Sequence, residues 1–165
     1  MLVPLSFPSD PAARAQRYDD VALSIGGLLD GEDDWIAALA TVACELSHGF
    51  DWFHWTGFYR AVSDDLLIVG PYQGGHGCTR IAFSRGVCGA AARTRVTQLV
   101  PDVHAHPDHI ACSGTTNSEI VVPVLTPDGR LLAVLDLDSD HPAAFDALDQ
   151  ACLEAICADL GRRFA

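Results

Sequence analysis

Glu119-Ile-Val-Val-Pro-Val-Leu-Thr-Pro-Asp-Gly-Arg-Leu-Leu-Ala-Val-Leu-Asp-Leu-Asp-Ser139 reads as two strands and the turn between them. In Thr126-Pro127-Asp128-Gly129, proline suits the second turn position and glycine the fourth. The flanking segments, Glu119 to Leu125 and Arg130 to Ser139, carry the β-branched and aliphatic residues that pack well on a pleated surface. Downstream, the spacing predicts a closing helix from about Asp146 to Arg163 that buries the stripe Phe145, Leu148, Cys152, Ile156 and Leu160. A hairpin followed by an amphipathic helix implies an antiparallel sheet covered by helices.

Upstream, Asp10 caps a helix that opens at Pro11 and runs to about Leu29. Asp33 or Asp34 opens a second helix through Trp35, Leu39, Val42 and Leu46 to Gly49. His54 to Val62 and Leu66 to Tyr72 read as a hairpin across Ser63-Asp64-Asp65. Gln73 to Gly77 is too rich in glycine for regular structure. Short strands at Arg80 to Phe83 and Thr97 to Val100 bracket a small helix, Val87 to Arg93, and Pro101 to Asn117 is a long irregular stretch of the kind that tends to be functional. The expected class is α+β, a central antiparallel sheet flanked by N- and C-terminal helices.

With 165 residues and 49% hydrophobic content, the chain has material for one core. Its net charge of −12, from 22 acids against 10 basic residues that are all arginine, makes phosphate backbones and anionic lipid poor partners. The N-terminal stretch lacks a basic start and an apolar run, and no segment is long enough to span a bilayer, so a cytoplasmic protein is expected. The cysteines, at 44, 78, 88, 112, 152 and 157, are then thiols in a reducing compartment.

Alternation places Leu132, Val134, Asp136 and Asp138 on one strand face, so two carboxylates stand where hydrophobes belong. Buried carboxylates are costly unless they bind something; the competing reading is a strand end running into solvent. Glu119 lies near them across the hairpin, and three converging acids suit a ligand ammonium, or a proton donor to a ligand oxygen. Trp55, Gly57 and Tyr59 share a face of the first strand, and glycine between aromatics leaves a gap with π walls, fit for a cation or a polarizable sulfur. Ordinary core packing is the alternative.

Cys78, Cys88 and Cys112 sit in polar or glycine-rich surroundings, whereas Cys44, Cys152 and Cys157 lie in apolar helical patterns and serve as small hydrophobes. A helix N-terminus and Arg85 are expected to lower the Cys88 thiol. Cys112 is followed by small hydrogen-bonding residues, and Cys78 has the mobility of a resolving thiol. His104, His106, His109 and Cys112, with His76 and Cys78, are potential metal ligands, but no pair has zinc-site spacing and no metal is expected. A Cys112/His109 hydrolase is a further possibility that the residues leave open.

Trp55-Thr-Gly-Phe-Tyr59, Gly70-Pro-Tyr-Gln-Gly74, Cys78-Thr-Arg-Ile81, Gly86-Val-Cys-Gly89, Asp102-Val-His104, His109-Ile-Ala-Cys112, Ser118-Glu-Ile-Val-Val-Pro123 and Val134-Leu-Asp-Leu-Asp-Ser139 together resemble the free methionine-(R)-sulfoxide reductases, which are single GAF domains. The resemblance implies a GAF domain over 31–165 after an N-terminal tail and helix at 1–30, and reduction of the free amino acid with no bound cofactor. It implies Cys112 as nucleophile, Cys78 as resolving thiol and thioredoxin as reductant, and leaves Cys88 to relay the oxidising equivalent or complete the pocket. Trp55 and Tyr59 would wall the sulfoxide methyl, and Glu119, Asp136 and Asp138 would hold the ammonium and the sulfoxide oxygen. Helices before the GAF sheet commonly serve dimerisation in such proteins, so a homodimer is expected. The competing function is a ligand-binding GAF sensor without catalysis, which would have no need of the cysteine trio.

Overall fold

Asp10 starts the first helix by accepting hydrogen bonds from the backbone N–H groups of Ala12 and Ala13, and Pro11 occupies the first helical turn, where a missing N–H costs nothing. The computed structural model describes residues 3–105 and 114–165. Its elements, in order, are α1 (Pro11–Leu28), α2 (Trp35–Gly49), β1 (Trp55–Ala61), β2 (Leu66–Gln73), β3 (Arg80–Ala82), α3 (Gly86–Thr94), β4 (Gln98–Val100), a 3-10 turn (Val103–Ala105), β5 (Ser118–Leu125), β6 (Leu131–Ser139) and α4 (Ala147–Arg163). The expected helices and strands all form, with closely matching boundaries. His106, His109 and Cys112 lie outside the described residues.

The six strands make one antiparallel sheet in the order β3-β2-β1-β6-β5-β4. Alternation gives that sheet two faces of different character. One buries Phe58, Ile120, Val122, Leu135 and Leu137 against α1, α2 and α4. The other carries Trp55, Tyr59, Val121 and Val134, covered by Val87, Cys88, Ala91 and Ala92 of α3. α1 is bolted to the start of α4: Arg14 ion-pairs with Asp146 and, at 3.1 Å, with Asp149, and the Tyr18 hydroxyl donates to Asp149 at 2.9 Å.

Two expectations need correction. Leu132 does not share the face of Val134, Asp136 and Asp138, because the β5–β6 ladder slips between Val124 and Leu125 and Leu132 turns toward the three-helix side. A β-bulge of this kind inserts one residue and breaks the period of two. The buried stripe of α4 is also rotated: Asp149, Leu153, Ile156, Cys157 and Leu160 face inward, while Leu148 and Cys152 are half-buried. The buried Asp149 anchor to Arg14 and Tyr18 sets that rotation, which apolar spacing alone could not reveal.

α3 lies close against the β3 end of the sheet because Gly89 has no side chain there. A Cβ at this position would stand 2.6 Å from the Ala82 carbonyl oxygen and 2.9 Å from that of Phe83. Gly89→Ala is therefore expected to lift α3 and to cost about 1–3 kcal/mol by overpacking, read as a lowered midpoint in chemical denaturation. An unchanged midpoint would mean that α3 is not seated by this contact.

Candidate active site

Strand register gathers the acids. Trp55 of β1 pairs with Asp138 of β6, which pairs with Glu119 of β5; one step along, Gly57 pairs with Asp136, which pairs with Val121. Paired residues across an antiparallel ladder project to the same face, so Trp55, Asp138, Glu119, Gly57 and Asp136 form two adjacent rows. Glu119 and Asp136 are each 5% exposed, and Asp138 is half-buried.

From the facing helix, Cys88 donates its S–H to Oδ2 of Asp136 at 3.3 Å, and Oδ1 of Asp136 is buried with no hydrogen-bond partner. Donor atoms of Cys88, Glu119 and Asp136 lie within 4.8 Å of one another. Glu119 and Asp136 hydrogen-bond each other within this group. Burial, and then mutual repulsion, therefore hold Glu119, Asp136 and Asp138 well above the ordinary carboxylate range. The cluster keeps protons that surface carboxyls would shed. The trio is also the donor set among the described residues that could hold a divalent cation, but binding one would require expelling those protons.

The Cys88 thiol is likewise raised, first by burial and then by Asp136 and Glu119. This overturns the expectation of a lowered thiol at a helix terminus. Desolvation among carboxyls outweighs the helix end, whose cap residue Arg85 makes no side-chain capping bond.

The aromatic wall also differs from expectation. The space over Gly57 does not open between Trp55 and Tyr59; the two rings stack on each other with centroids 5.6 Å apart, and Tyr72 stacks on Trp55 at 5.3 Å. A Cβ on Gly57 would lie 2.3 Å from Cβ of Tyr72 and 2.8 Å from the Trp55 ring, so the glycine is what lets the indole lie flat. The Gly74–Cys78 loop crosses this wall. Trp55 Nε1 donates to the Gly75 carbonyl at 3.2 Å, and the Cys78 N–H donates to the Tyr59 hydroxyl, whose proton burial and Asp136 hold tightly. Cys78 is disulfide-bonded, while Cys44, Cys88, Cys152 and Cys157 are free.

A cavity of about 280 Å³ opens beside the wall, lined by His54, Trp55, Gly75, His76, Thr115, Thr116, Asp138 and Asp140. Carboxylates on one side and imidazole, hydroxyl and backbone donors on the other suit a small zwitterion. Sequence reasoning missed Asp140, and it read Thr116 and Asn117 only as hydrogen-bonding residues after Cys112. Asn117 ties the rim together: it donates to the carbonyls of Thr115 and Asp140 and bonds His104 Nε2 at 3.1 Å, which engages His104 structurally. An asparagine in a polar loop gives little warning of such a role.

The GAF domain family matches residues 31–164. The chain is 42% identical over 149 residues to the free methionine-R-sulfoxide reductase of Saccharomyces cerevisiae, covering 87% of this chain and 83% of that one. It is 36% identical over 152 residues to the enzyme of the same name from Escherichia coli, covering 92% and 91%. The structure superposes with a TM-score of 0.87 on the free methionine-R-sulfoxide reductase of Neisseria meningitidis in complex with its substrate, at 45% identity over 99% of this chain and 96% of that one.

A carboxyl raised by folding makes stability fall as pH rises from the unfolded value, about 4, toward the folded one, because the native state binds the proton more tightly than the unfolded chain. Asp136→Asn removes this loss. The stability difference between Asp136→Asn and wild type, from urea unfolding at a series of pH values, is expected to grow in favour of the variant above the ordinary carboxylate range. A difference independent of pH would refute the shared-proton cluster.

Proposed function

The chain belongs to the GAF-domain free methionine-R-sulfoxide reductases, an oxidoreductase family, and from that premise we propose how its residues reduce free L-methionine-(R)-sulfoxide. The observation that carries the mechanism is the buried, partnerless Oδ1 of Asp136 inside a proton-holding cluster beside an aromatic wall. Sulfoxide reduction needs two things at once: a proton for the oxygen and a thiolate for the sulfur.

Trp55 and Tyr59 hold the methyl-sulfur end, with the indole face against polarizable sulfur. Asp140 at the cavity rim receives the ammonium together with Asp138, which gives up its proton to solvent as the cation arrives, and Glu119 shares the proton that keeps Asp136 neutral. The Cys112 thiolate bonds to the substrate sulfur as the Asp136 proton passes to the sulfoxide oxygen. The hydroxyl then transfers to the cysteine sulfur, releasing methionine and leaving Cys112 as a sulfenic acid. The Cys78 thiol condenses with it, expelling water and forming a disulfide; the oxidised state of Cys78 in the structure supports its role as a disulfide-forming thiol. A dithiol reductant, proposed as thioredoxin, returns both thiols. No cofactor is required by this scheme, since the electrons come from cysteine. We further propose a cytoplasmic homodimer; Leu23 and Leu28, 79% and 57% exposed on α1, give the N-terminal extension apolar surface for a second copy. No helix among the described residues is long and apolar enough to cross a membrane.

Single turnover of the fully reduced protein tests the reaction. Methionine is expected from the free (R) epimer, with loss of two thiols, and not from the (S) epimer or a peptide-bound sulfoxide. Cys112→Ser is expected to abolish methionine formation, and Cys78→Ser to allow one turnover while impairing recycling by thioredoxin. No methionine from any substrate would leave a ligand-binding GAF domain as the better reading, and full activity in Cys112→Ser would remove that residue as nucleophile.

A further inference from the structure

The segment before α1 lies outside the residues that the GAF domain family matches, yet it packs against the rim of the cavity. Its backbone is pinned beside the end of α2. Leu5 donates its N–H to the Gly49 carbonyl at 2.9 Å, its carbonyl accepts from the Asp51 N–H at 3.0 Å, and the Phe7 N–H donates to Oδ1 of Asp51 at 3.1 Å. So anchored, the Phe7 ring stacks on His141 with centroids 4.5 Å and planes 16° apart. We infer that Phe7 is a positioning residue: its stack on His141 holds the Asp140–His141 step in place, so that Asp140 stands where the substrate ammonium arrives. The inference rests on Asp140 receiving the ammonium in the reaction above.

β6 ends at Ser139, so Asp140 and His141 lie beyond its ladder and are held by side chains instead. The Asp140 N–H donates to Nδ1 of His54 at 3.0 Å, and the Asp140 carbonyl accepts from Nδ2 of Asn117 at 2.8 Å. The His141 N–H donates to Oγ of Ser139 at 3.2 Å, and its carbonyl accepts from Oγ of Ser118 at 2.6 Å. The His141 ring then meets two others: Phe7, and, tilted with centroids 5.6 Å apart, the same His54 that holds the Asp140 N–H. Phe7 is backed in turn by Trp52, centroids 5.7 Å apart, which is fully buried in the core. Contacts between aromatic rings are directional, so they restrain orientation as well as distance.

Asp140 lines the cavity with Asp138, His54, His76 and Trp55. It stands near enough to Asp138 for its charge, after burial and Asp136, to be a further cause of that carboxyl's raised value. Recognition of one ammonium by two carboxyls depends on their placement, because the attraction falls with distance and the hydrogen bond with angle. Asp140 is exposed, so its carboxyl is held only as well as the backbone beneath it. The ring contacts of Phe7 are to Trp52 and His141, away from the aromatic wall and Asp136. Loss of the ring therefore weakens substrate binding and leaves the chemical step alone.

The experiment measures kinetics with free L-methionine-(R)-sulfoxide and a dithiol reductant for wild type, Phe7→Leu, Phe7→Tyr, Asp140→Asn and the double variant Phe7→Leu with Asp140→Asn. It is paired with amide hydrogen exchange at Asp140, followed by NMR in the substrate-free proteins. Phe7→Leu, which keeps an apolar side chain and removes the ring, is expected to raise KM about fivefold, the upper range for a partly exposed ion pair. kcat should stay within about twofold, the pattern of lost binding rather than lost chemistry. Exchange at Asp140 should quicken as its bond to His54 loosens. Phe7→Tyr, which keeps the ring, should return both readouts toward wild type. In the Asp140→Asn background Phe7→Leu should add little, because the residue it positions is gone. Phe7→Met takes the place of Phe7→Leu if the latter does not fold. Unchanged KM and exchange in the folded variant would reduce the stack to packing of the N-terminal segment. An equal rise in KM with and without the Asp140 carboxyl would place the effect of Phe7 on another residue. Should wild type release no methionine, the proposed reaction fails on its own, while the exchange comparison still decides whether Phe7 holds Asp140.

Discussion

Glu119, Asp136 and Asp138 crowd three carboxyls into one largely buried patch, and the rest of the site follows from that crowding. Three full negative charges would be prohibitively expensive there, so the protein holds protons instead. A thiol from α3 and a phenol from β1 complete a group in which every member resists ionisation. A basic residue at any of these positions would stabilise the patch and at the same time remove its capacity to protonate a ligand.

Placement of the patch depends on elements remote from it. α1, α2 and α4 pack one face of the sheet with aliphatic and aromatic side chains, and the Arg14–Asp149–Tyr18 contact fixes the rotation of α4. That side supplies the hydrophobic stabilisation. The opposite face is covered by the small residues of α3, which bring a helix backbone close to the strands and set the Cys88 thiol on Asp136. Stability and chemistry are thus divided between the two sides of one sheet, a division made possible by strict alternation along β1, β5 and β6.

That alternation is also why much was legible in the sequence. The Thr126–Gly129 turn, the paired apolar strands and the Asp10 and Asp34 caps are local signals, and the elements formed where those signals fell. Asp136, Asp138 and Glu119 stood out because a carboxyl on an apolar face is a local anomaly. What escaped reading depended on contacts distant in the chain. The bulge at Leu132 is a property of two strands together, and the rotation of α4 comes from α1. The Cys88 thiol was read in the wrong direction because a helix end is visible in sequence and the acids that face it are not. Likewise, Gly57 suggested an empty slot, whereas the Trp55 indole lies over it, stacked on Tyr72 that the β1–β2 ladder brings across. The nucleophile role proposed for Cys112 came from resemblance, whereas the resolving role proposed for Cys78 was also read from its glycine-rich loop.

The hydrogen bond from the Trp55 indole to the Gly75 carbonyl, with that from Cys78 to the Tyr59 hydroxyl, joins the aromatic wall to the loop carrying the disulfide-bonded Cys78. Neither can shift far while the other stays in place. The wall and the loop form a single mechanical part, held by one bond from an indole and one to a phenol. Trp55 is thus the indole tied directly to the Cys78 loop, and its emission reads the geometry of that loop.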